Sequence, residues 1–473
     1  MADNYDVIVL GAGAVGENVA DRAVQGGLSA VIVESELVGG ECSYWACMPS
    51  KALLRPAQAL RAARAVPGAA EAATGELDVE AVLERRDSFT SHWSDAGQVE
   101  WLESAGIDLV RGHGRLSGER EVTVTEEGGA TRVLTAAHAV VVATGTDPFV
   151  PPIEGLRESA PWTSREATSV EQVPESLAVV GGGVVALEMA TVFSDLGCRV
   201  TVVSRSGILG GMEPFAGELV AEALRRRGVE ILTHTETASV RRDGDTVTLV
   251  TGEGREIVAS EVLVATGRAQ RTTDIGLDTV GLEPGGPLEV DDTMRVPGYD
   301  WLYATGDVNG RALLTHQGKY QARAAGDVIA ARAKGEPVDA ADWGRHVATA
   351  DHRVVPQVVF TDPEVASVGL TEAAAQKAGY TVTAVDYDMG SVAGAAVHAD
   401  GYTGKARMVV DTEREVILGV TFVGPEVSEL LQSATIAIAG EVPIARLWHA
   451  VPAYPTVSEV WLRLLEAYGR DSA

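Results

Sequence analysis

Two cysteines, Cys42 and Cys47, are the residues of this 473-residue chain best suited to redox chemistry. They sit in the run Gly39-Gly-Glu-Cys42-Ser-Tyr-Trp-Ala-Cys47-Met-Pro-Ser-Lys51. With four residues between them, the sulfurs can close a disulfide across a distorted helical turn. A helix N-terminus or a cation nearby would favour the thiolate. The competing reading is a chance pair of buried thiols, and the flanking Gly-Gly and Pro-Ser-Lys weigh against it. The third cysteine, Cys198, has no cysteine neighbour in sequence and reads as a buried small hydrophobe. Three cysteines are too few for a disulfide scaffold, so a functional pair points to redox activity in a reducing compartment.

The elements around this pair form an internal duplication. Val7-Ile-Val-Leu10 is an apolar run of buried-strand type that enters Gly11-Ala-Gly13-Ala-Val-Gly16. A helical pattern follows to about Gln25, then a strand, Ala30-Val-Ile-Val33, ending at Glu34. The same grammar returns as Leu177-Ala-Val-Val180, Gly181-Gly-Gly183, a helix to about Leu196, and Val200-Thr-Val-Val203 ending at Ser204. In both units the strand end lies 23 residues after the first glycine. Val140-Val-Val-Ala-Thr144-Gly145 closes the first unit and Val262-Leu-Val-Ala-Thr-Gly267 the second.

Each glycine of Gly11/Gly13/Gly16 has a physical reason. The first allows the tight turn and the second lets backbone N–H groups approach a pyrophosphate. The third lets helix pack on strand, with the helix N-terminus facing the phosphates. Glu34 is placed to accept hydrogen bonds from ribose hydroxyls. The alternative, a glycine turn with no ligand, does not account for strand, helix and acid all in place. In the second unit Gly181 and Gly183 repeat the pattern, but Ser204 replaces the acid and Arg205 follows. With no carboxylate to claim a 2′-hydroxyl, and a guanidinium beside it, a 2′-phosphate is better accommodated. That favours NADPH over NADH; the other reading of Arg205 is a plain surface residue. Two such units in one chain point to FAD plus a nicotinamide cofactor.

Length predicts about three domains. The Pro-rich piece Pro148-Phe-Val-Pro-Pro152 reads as a crossing between two of them. In the last ~125 residues, Gln357–Phe360, Arg407–Val410 and Val416–Phe422 read as strands among helices, an α+β arrangement. Lys+Arg is 38 and Asp+Glu is 67, a net charge of −29, which argues against nucleic acid or an anionic membrane as partner. No apolar stretch of ~18 residues occurs, so no membrane span is expected. The first ten residues read as a strand rather than a signal peptide, which predicts a cytoplasmic location.

The chain resembles the two-cysteine FAD-dependent pyridine nucleotide–disulfide oxidoreductases, a group that includes dihydrolipoamide dehydrogenase, glutathione reductase and mercuric reductase. The Gly-Gly-x-Cys-x4-Cys-x-Pro-Ser-Lys run is the specific motif, and the resemblance covers nearly the whole chain. It implies an α/β fold with two Rossmann-type dinucleotide-binding domains and a C-terminal α+β dimerisation domain. The expected boundaries are 1–150 with 271–345 for FAD, 151–270 for NAD(P)H and 346–473 for the dimer interface. It implies that Tyr303-Ala-Thr-Gly-Asp307 brings Asp307 to FAD, and that Thr361-Asp-Pro-Glu-Val-Ala-Ser-Val-Gly369 opens the interface domain. By the same carry-over Cys47 faces the flavin and Cys42 attacks substrate. Lys51 lies near flavin N5, paired with Glu188; the competing reading of Glu188 is an ordinary solvated helix residue.

The chain departs from the family in three places. The His-Pro-Thr-x-x-Glu ending of many members, whose histidine is the acid/base and whose glutamate orients it, is matched by Tyr454-Pro-Thr-Val-Ser-Glu459. Tyrosine, with a reference pKa near ~10, is no neutral-pH base but can donate a hydrogen bond. His449-Ala-Val-Pro452 just upstream is the alternative source of a base. Trp45 is bulky where the family has small residues; it either shapes a pocket for a flat acceptor or packs against the FAD domain. No cysteine lies near the C-terminus, which weighs against Hg(II) as substrate. The expectation is a homodimer passing electrons from NADPH through FAD and a Cys42–Cys47 disulfide to a small-molecule acceptor, either a low-molecular-weight disulfide or a quinone, with no metal. The alternatives are a dihydrolipoamide dehydrogenase using NAD and an electron donor to a protein partner.

Overall fold

A computed structural model describes residues 3–470 and divides the chain into two compact units. The first comprises Met1–Pro49, Asp87–Phe149 and Gly267–His352. Its five parallel strands lie in the order Asp108–Arg111, Ala30–Glu34, Asp3–Leu10, Thr131–Val142 and Leu302–Ala304. The first half of Thr131–Val142 also pairs antiparallel with Glu121–Thr125, which pairs with His113–Gly118. The apolar runs read in the sequence are this sheet's centre. Ile8, Leu10, Val140 and Val142 bury one face, and Val7, Val9, Ile32 and Val141 bury the other. A strand covered on both sides needs no polar alternation, which is why these segments read as continuous apolar runs. In register, Leu10 pairs with both Val33 and Val142, and Ala304 with Val142. Gly11, Ala143 and Thr305 therefore leave the sheet together at the carboxyl ends of their strands, beside Glu34, the last residue of its own strand.

Two helices run along one face. Ala14–Gln25 follows the first strand and Thr315–Ala333 follows the last. They touch through glycines. A Cβ on Gly318 would lie 2.5 Å from Val15 Cγ2, one on Gly326 2.4 Å from Arg22 Cβ, and one on Gly26 2.5 Å from Ala330 Cβ. The contacting positions rise together in both helices, so the pair is parallel and its two N-terminal turns lie side by side.

The second unit comprises Ser50–Arg86, Val150–Thr266 and Arg353–Ala473. It holds a parallel sheet in the order Glu230–Leu232, Arg199–Val203, Ser176–Val180, Glu261–Val264, with helix Val184–Asp195 after the third. An antiparallel three-stranded sheet, Thr237–Asp243, Thr246–Thr251 and Glu256–Ala259, accompanies it. A five-stranded antiparallel sheet runs Gln357–Val359, Glu364–Gly369, Val416–Gly424, Lys405–Asp411, Val382–Asp388. The sequence reading had three of these five; Glu364–Gly369 and Val382–Asp388 are additional. Among the described residues, no helix is long and apolar enough to cross a membrane.

Candidate active site

In the first unit a cleft of about 490 Å³ opens at the sheet edge where the strand ends converge. Gly11, Gly13, Glu34, Cys42, Thr144, Gly145, Asp307 and Thr315 are among its lining residues. Gly11 has φ +101°, and a Cβ there would lie 2.5 Å from the Ala143 carbonyl oxygen. A Cβ on Gly16 would lie 1.9 Å from the Gly11 carbonyl oxygen. Around a Cβ on Gly13, by contrast, nothing lies within 4 Å. The backbone at Gly13 thus faces open space at the start of helix Ala14–Gln25, whose N-cap takes no side-chain hydrogen bond. That is the shape and polarity that an anionic pyrophosphate fits.

Glu34 closes the cradle. One of its carboxylate oxygens accepts from the Ala12 amide at 2.6 Å and the other from the Glu36 amide at 2.7 Å. Asp307 also lines the cleft, accepting from the Thr146 hydroxyl at 3.0 Å. Burial holds its carboxyl above the usual range, opposed by that hydrogen bond and by the Arg268 charge. Arg268 donates to the Thr146 hydroxyl at 2.9 Å and to its carbonyl at 2.6 Å. The Thr144 hydroxyl donates to the Arg271 carbonyl at 2.8 Å. The glycine cradle, the acidic residue at its rim and the long cleft fit FAD.

Cys42 lines the cleft together with Thr315, and Cys47 reaches it through Thr315. Gly39 and Gly40, at φ +113° and +60°, turn the chain into a short helix, Gly40–Tyr44. The helix breaks at Trp45, and Cys47 starts the 18-residue helix Cys47–Arg64. The two sulfurs are held as a dithiol. The hydrogen bond with Cys47, helped by burial, pushes the Cys42 thiol up; Thr315 and Lys319 pull it back. Cys47 Sγ lies 3.5 Å from the Thr315 hydroxyl, at the N-terminus of helix Thr315–Ala333. Helix N-termini favour negative charge, so this end of the cleft suits a thiolate. The Trp45 ring lies 5.7 Å from that of Tyr44.

In the second unit Glu188, on helix Val184–Asp195, is 3% exposed. It pairs with Lys51 at 2.7 Å and accepts from the Phe360 amide at 3.0 Å, while the Lys51 ammonium lies 4.9 Å over the Phe360 ring. Glu188 is therefore no solvated helix residue. The second glycine turn repeats the first: Gly181 has φ +138°, a Cβ there would meet the Ala265 carbonyl oxygen at 2.2 Å, and Gly183 faces open space. Ser204 is buried at the end of its strand, and Arg205 beside it is exposed. Gly267, at φ +136°, is the first residue of the last segment of the first unit, and its carbonyl accepts from the Phe149 amide at 3.0 Å.

Tyr454 is 75% exposed, and its hydroxyl makes no hydrogen bond among the described residues. Glu459 is buried and paired with Arg463 at 2.5 Å, so within one chain it does not orient Tyr454. His449 is exposed. Cys198 is buried, and burial pushes its thiol up to about 12, which makes it inert. Sequence reasoning missed Thr315, Arg268 and the Phe360 amide. A Thr-His-Gln-Gly helix start soon after the Thr-Gly-Asp motif was the available signal for Thr315.

Comparison with known proteins follows this geometry. Residues 5–327 match the family model of the pyridine nucleotide-disulphide oxidoreductases, and residues 355–464 match that of their dimerisation domain. A mercuric reductase of Shigella flexneri is 34% identical over 475 residues, covering 98% of this chain and 81% of that protein. A dihydrolipoyl dehydrogenase of Thermus scotoductus is 34% identical over 480 residues, covering 99% of this chain and 98% of that one. Among solved structures, the HOCl-induced flavoprotein disulfide reductase RclA from Escherichia coli, as its Cu(II) complex, superposes with a TM-score of 0.84 at 21% identity. That match covers 98% of this chain and 99% of RclA, and at that identity it shows the fold.

Proposed function

The chain belongs to the pyridine nucleotide-disulphide oxidoreductase family, and on that premise we propose a homodimeric NADPH oxidoreductase that reduces a small disulfide or a quinone through Cys42 and Cys47. The observation that carries this reading is the dithiol whose Cys42 lines the glycine-cradled cleft, with Thr315, another lining residue, against Cys47. FAD, when bound, supplies the two-electron relay between a nicotinamide hydride and a disulfide.

The chain's own residues do the rest. Gly11, Gly13 and Gly16 with the first turn of Ala14–Gln25 would hold the pyrophosphate, and Glu34 and Asp307 would take the sugar and ribityl hydroxyls. Cys47 is the thiol beside the flavin and Cys42 the interchange thiol. Lys51, held by Glu188, would supply the positive charge that a reduced flavin needs. Gly181 and Gly183 would hold the nicotinamide nucleotide at the second glycine turn. Tyr454 and Glu459 lie in the dimerisation domain, where Tyr454 donates a hydrogen bond rather than taking a proton. The three-domain boundaries of the sequence reading go with this assignment.

Arg205 supports NADPH: it is exposed next to a buried serine that offers no carboxylate to a 2′-hydroxyl. Arg205→Ala is expected to lower the NADPH-to-NADH ratio of kcat/KM by ~10-fold, through the NADPH value. An unchanged ratio would remove Arg205 from the site. The test of the function is anaerobic NADPH-dependent turnover of lipoamide and of a simple quinone, in wild type and Cys42→Ser. Quinone turnover that survives the substitution, with no lipoamide turnover, would take the electrons out at the flavin. A second reading, dihydrolipoamide dehydrogenase, is favoured by the dihydrolipoyl dehydrogenase relative that aligns over 98% of its own length. Fast lipoamide turnover with NAD, lost in Cys42→Ser, would establish it.

A further inference from the structure

The position that carries the family's base is an exposed tyrosine, which leaves open what favours the thiolate of Cys42. The first unit contains a candidate of its own. Helices Ala14–Gln25 and Thr315–Ala333 run parallel with their first turns adjacent. Thr315 opens the second helix and touches Cys47. Lys319 lies one turn further on the same face. It is half-buried and, among the described residues, has no carboxylate within ion-pair distance. Glu17, in the first turn of the neighbouring helix, has a carboxylate oxygen that is buried with no hydrogen-bond partner among the described residues. The chain has five lysines among its 38 basic residues, so a lysine here is not the default cation of this sequence.

We infer that Lys319 is an electrostatic positioning residue that favours the Cys42 thiolate in the reduced enzyme, and that Glu17 sets how much of its charge Cys42 feels. The inference rests on the reading of Cys42 as the interchange thiol. Lys319 takes no proton: when the Cys42 S–H bond breaks, the electron pair stays on sulfur and the proton goes to water. Cys42 is pushed up first by its hydrogen bond with Cys47 and by burial, and Thr315 and Lys319 pull it back. Glu17 is acted on by Lys319 and Glu34, and it in turn acts on Tyr44. Burial lifts the Glu17 carboxyl to about 7. Below that value Glu17 is neutral and the Lys319 charge acts undiminished; above it the carboxylate offsets part of that charge.

The test is the pH dependence of iodoacetamide alkylation of the dithiothreitol-reduced holoenzyme, with modified Cys42 located by peptide mass spectrometry. This readout needs neither an acceptor nor a nicotinamide. In Lys319→Gln the midpoint of Cys42 alkylation is expected to rise by about one unit, a ~10-fold slower reaction near neutrality. Lys319→Arg is expected to stay close to wild type. Glu17→Gln is expected to move the midpoint the other way, which keeps the inference testable if Lys319→Gln binds flavin poorly. A Lys319→Gln profile that superimposes on wild type overturns the inference and leaves the interchange role of Cys42 standing. A wild-type Cys42 that alkylates no faster than buried Cys198 overturns both.

Discussion

Cys42→Ser is expected to lower disulfide reduction by ~10³-fold or more, with flavin content per chain unchanged. The hydroxyl is close in size to the thiol, so packing within helix Gly40–Tyr44 survives. Its chemistry does not survive, because an alcohol is a poor nucleophile toward sulfur and cannot form the disulfide with Cys47. The fold of the cleft argues that the loss will be chemical, since Gly39, Gly40 and Trp45 shape the backbone there independently of the sulfur. Steady-state turnover of lipoamide, with flavin absorbance per polypeptide as the control, checks this. Turnover within a few-fold of wild type would remove Cys42 from the path.

Gly13→Ala is the second large effect, and its value lies in the contrast with Gly16→Ala. A methyl on Gly13 meets nothing within 4 Å, so the polypeptide folds as before. It does project into the space where the pyrophosphate must approach the backbone, so flavin binding is expected to fall by ~10²-fold, about 2.7 kcal/mol. A methyl on Gly16 would instead collide with the Gly11 carbonyl oxygen at 1.9 Å and must move helix or strand. Overpacking of that kind costs about 1–3 kcal/mol or more of stability. Thermal unfolding of the apoproteins, beside flavin retention after gel filtration, separates the two. A Gly13→Ala protein that keeps full flavin would place the cofactor elsewhere.

Much of the fold was legible because its signals are local. The two glycine units carry strand, turn, helix and strand end at fixed spacing, and sheets buried on both faces leave unbroken apolar runs. Val382–Asp388 was not legible: it is an edge strand carrying Asp386 and Asp388, mostly uncovered, and lacks a strong apolar pattern. Glu364–Gly369 lay inside a segment read as a motif rather than as a strand. In the site, Thr315 was hidden because its contact with Cys47 spans 268 residues of sequence. The second acceptor bond of Glu188 comes from the Phe360 amide, 172 residues away, and a backbone donor has no side-chain signature. The pairing of Lys51 with Glu188 entered through the family resemblance, since no local pattern joins residues 137 apart.

Electrons from the nicotinamide are expected to reach the Cys42–Cys47 pair. The direct measurement is anaerobic addition of NADPH to the oxidised holoenzyme, followed by alkylation and mass spectrometry of the cysteine peptides. Cys42 and Cys47 are expected to go from protected to alkylated on NADPH addition, with Cys198 unchanged until the protein is denatured. Flavin that bleaches while Cys42 and Cys47 stay protected would contradict it.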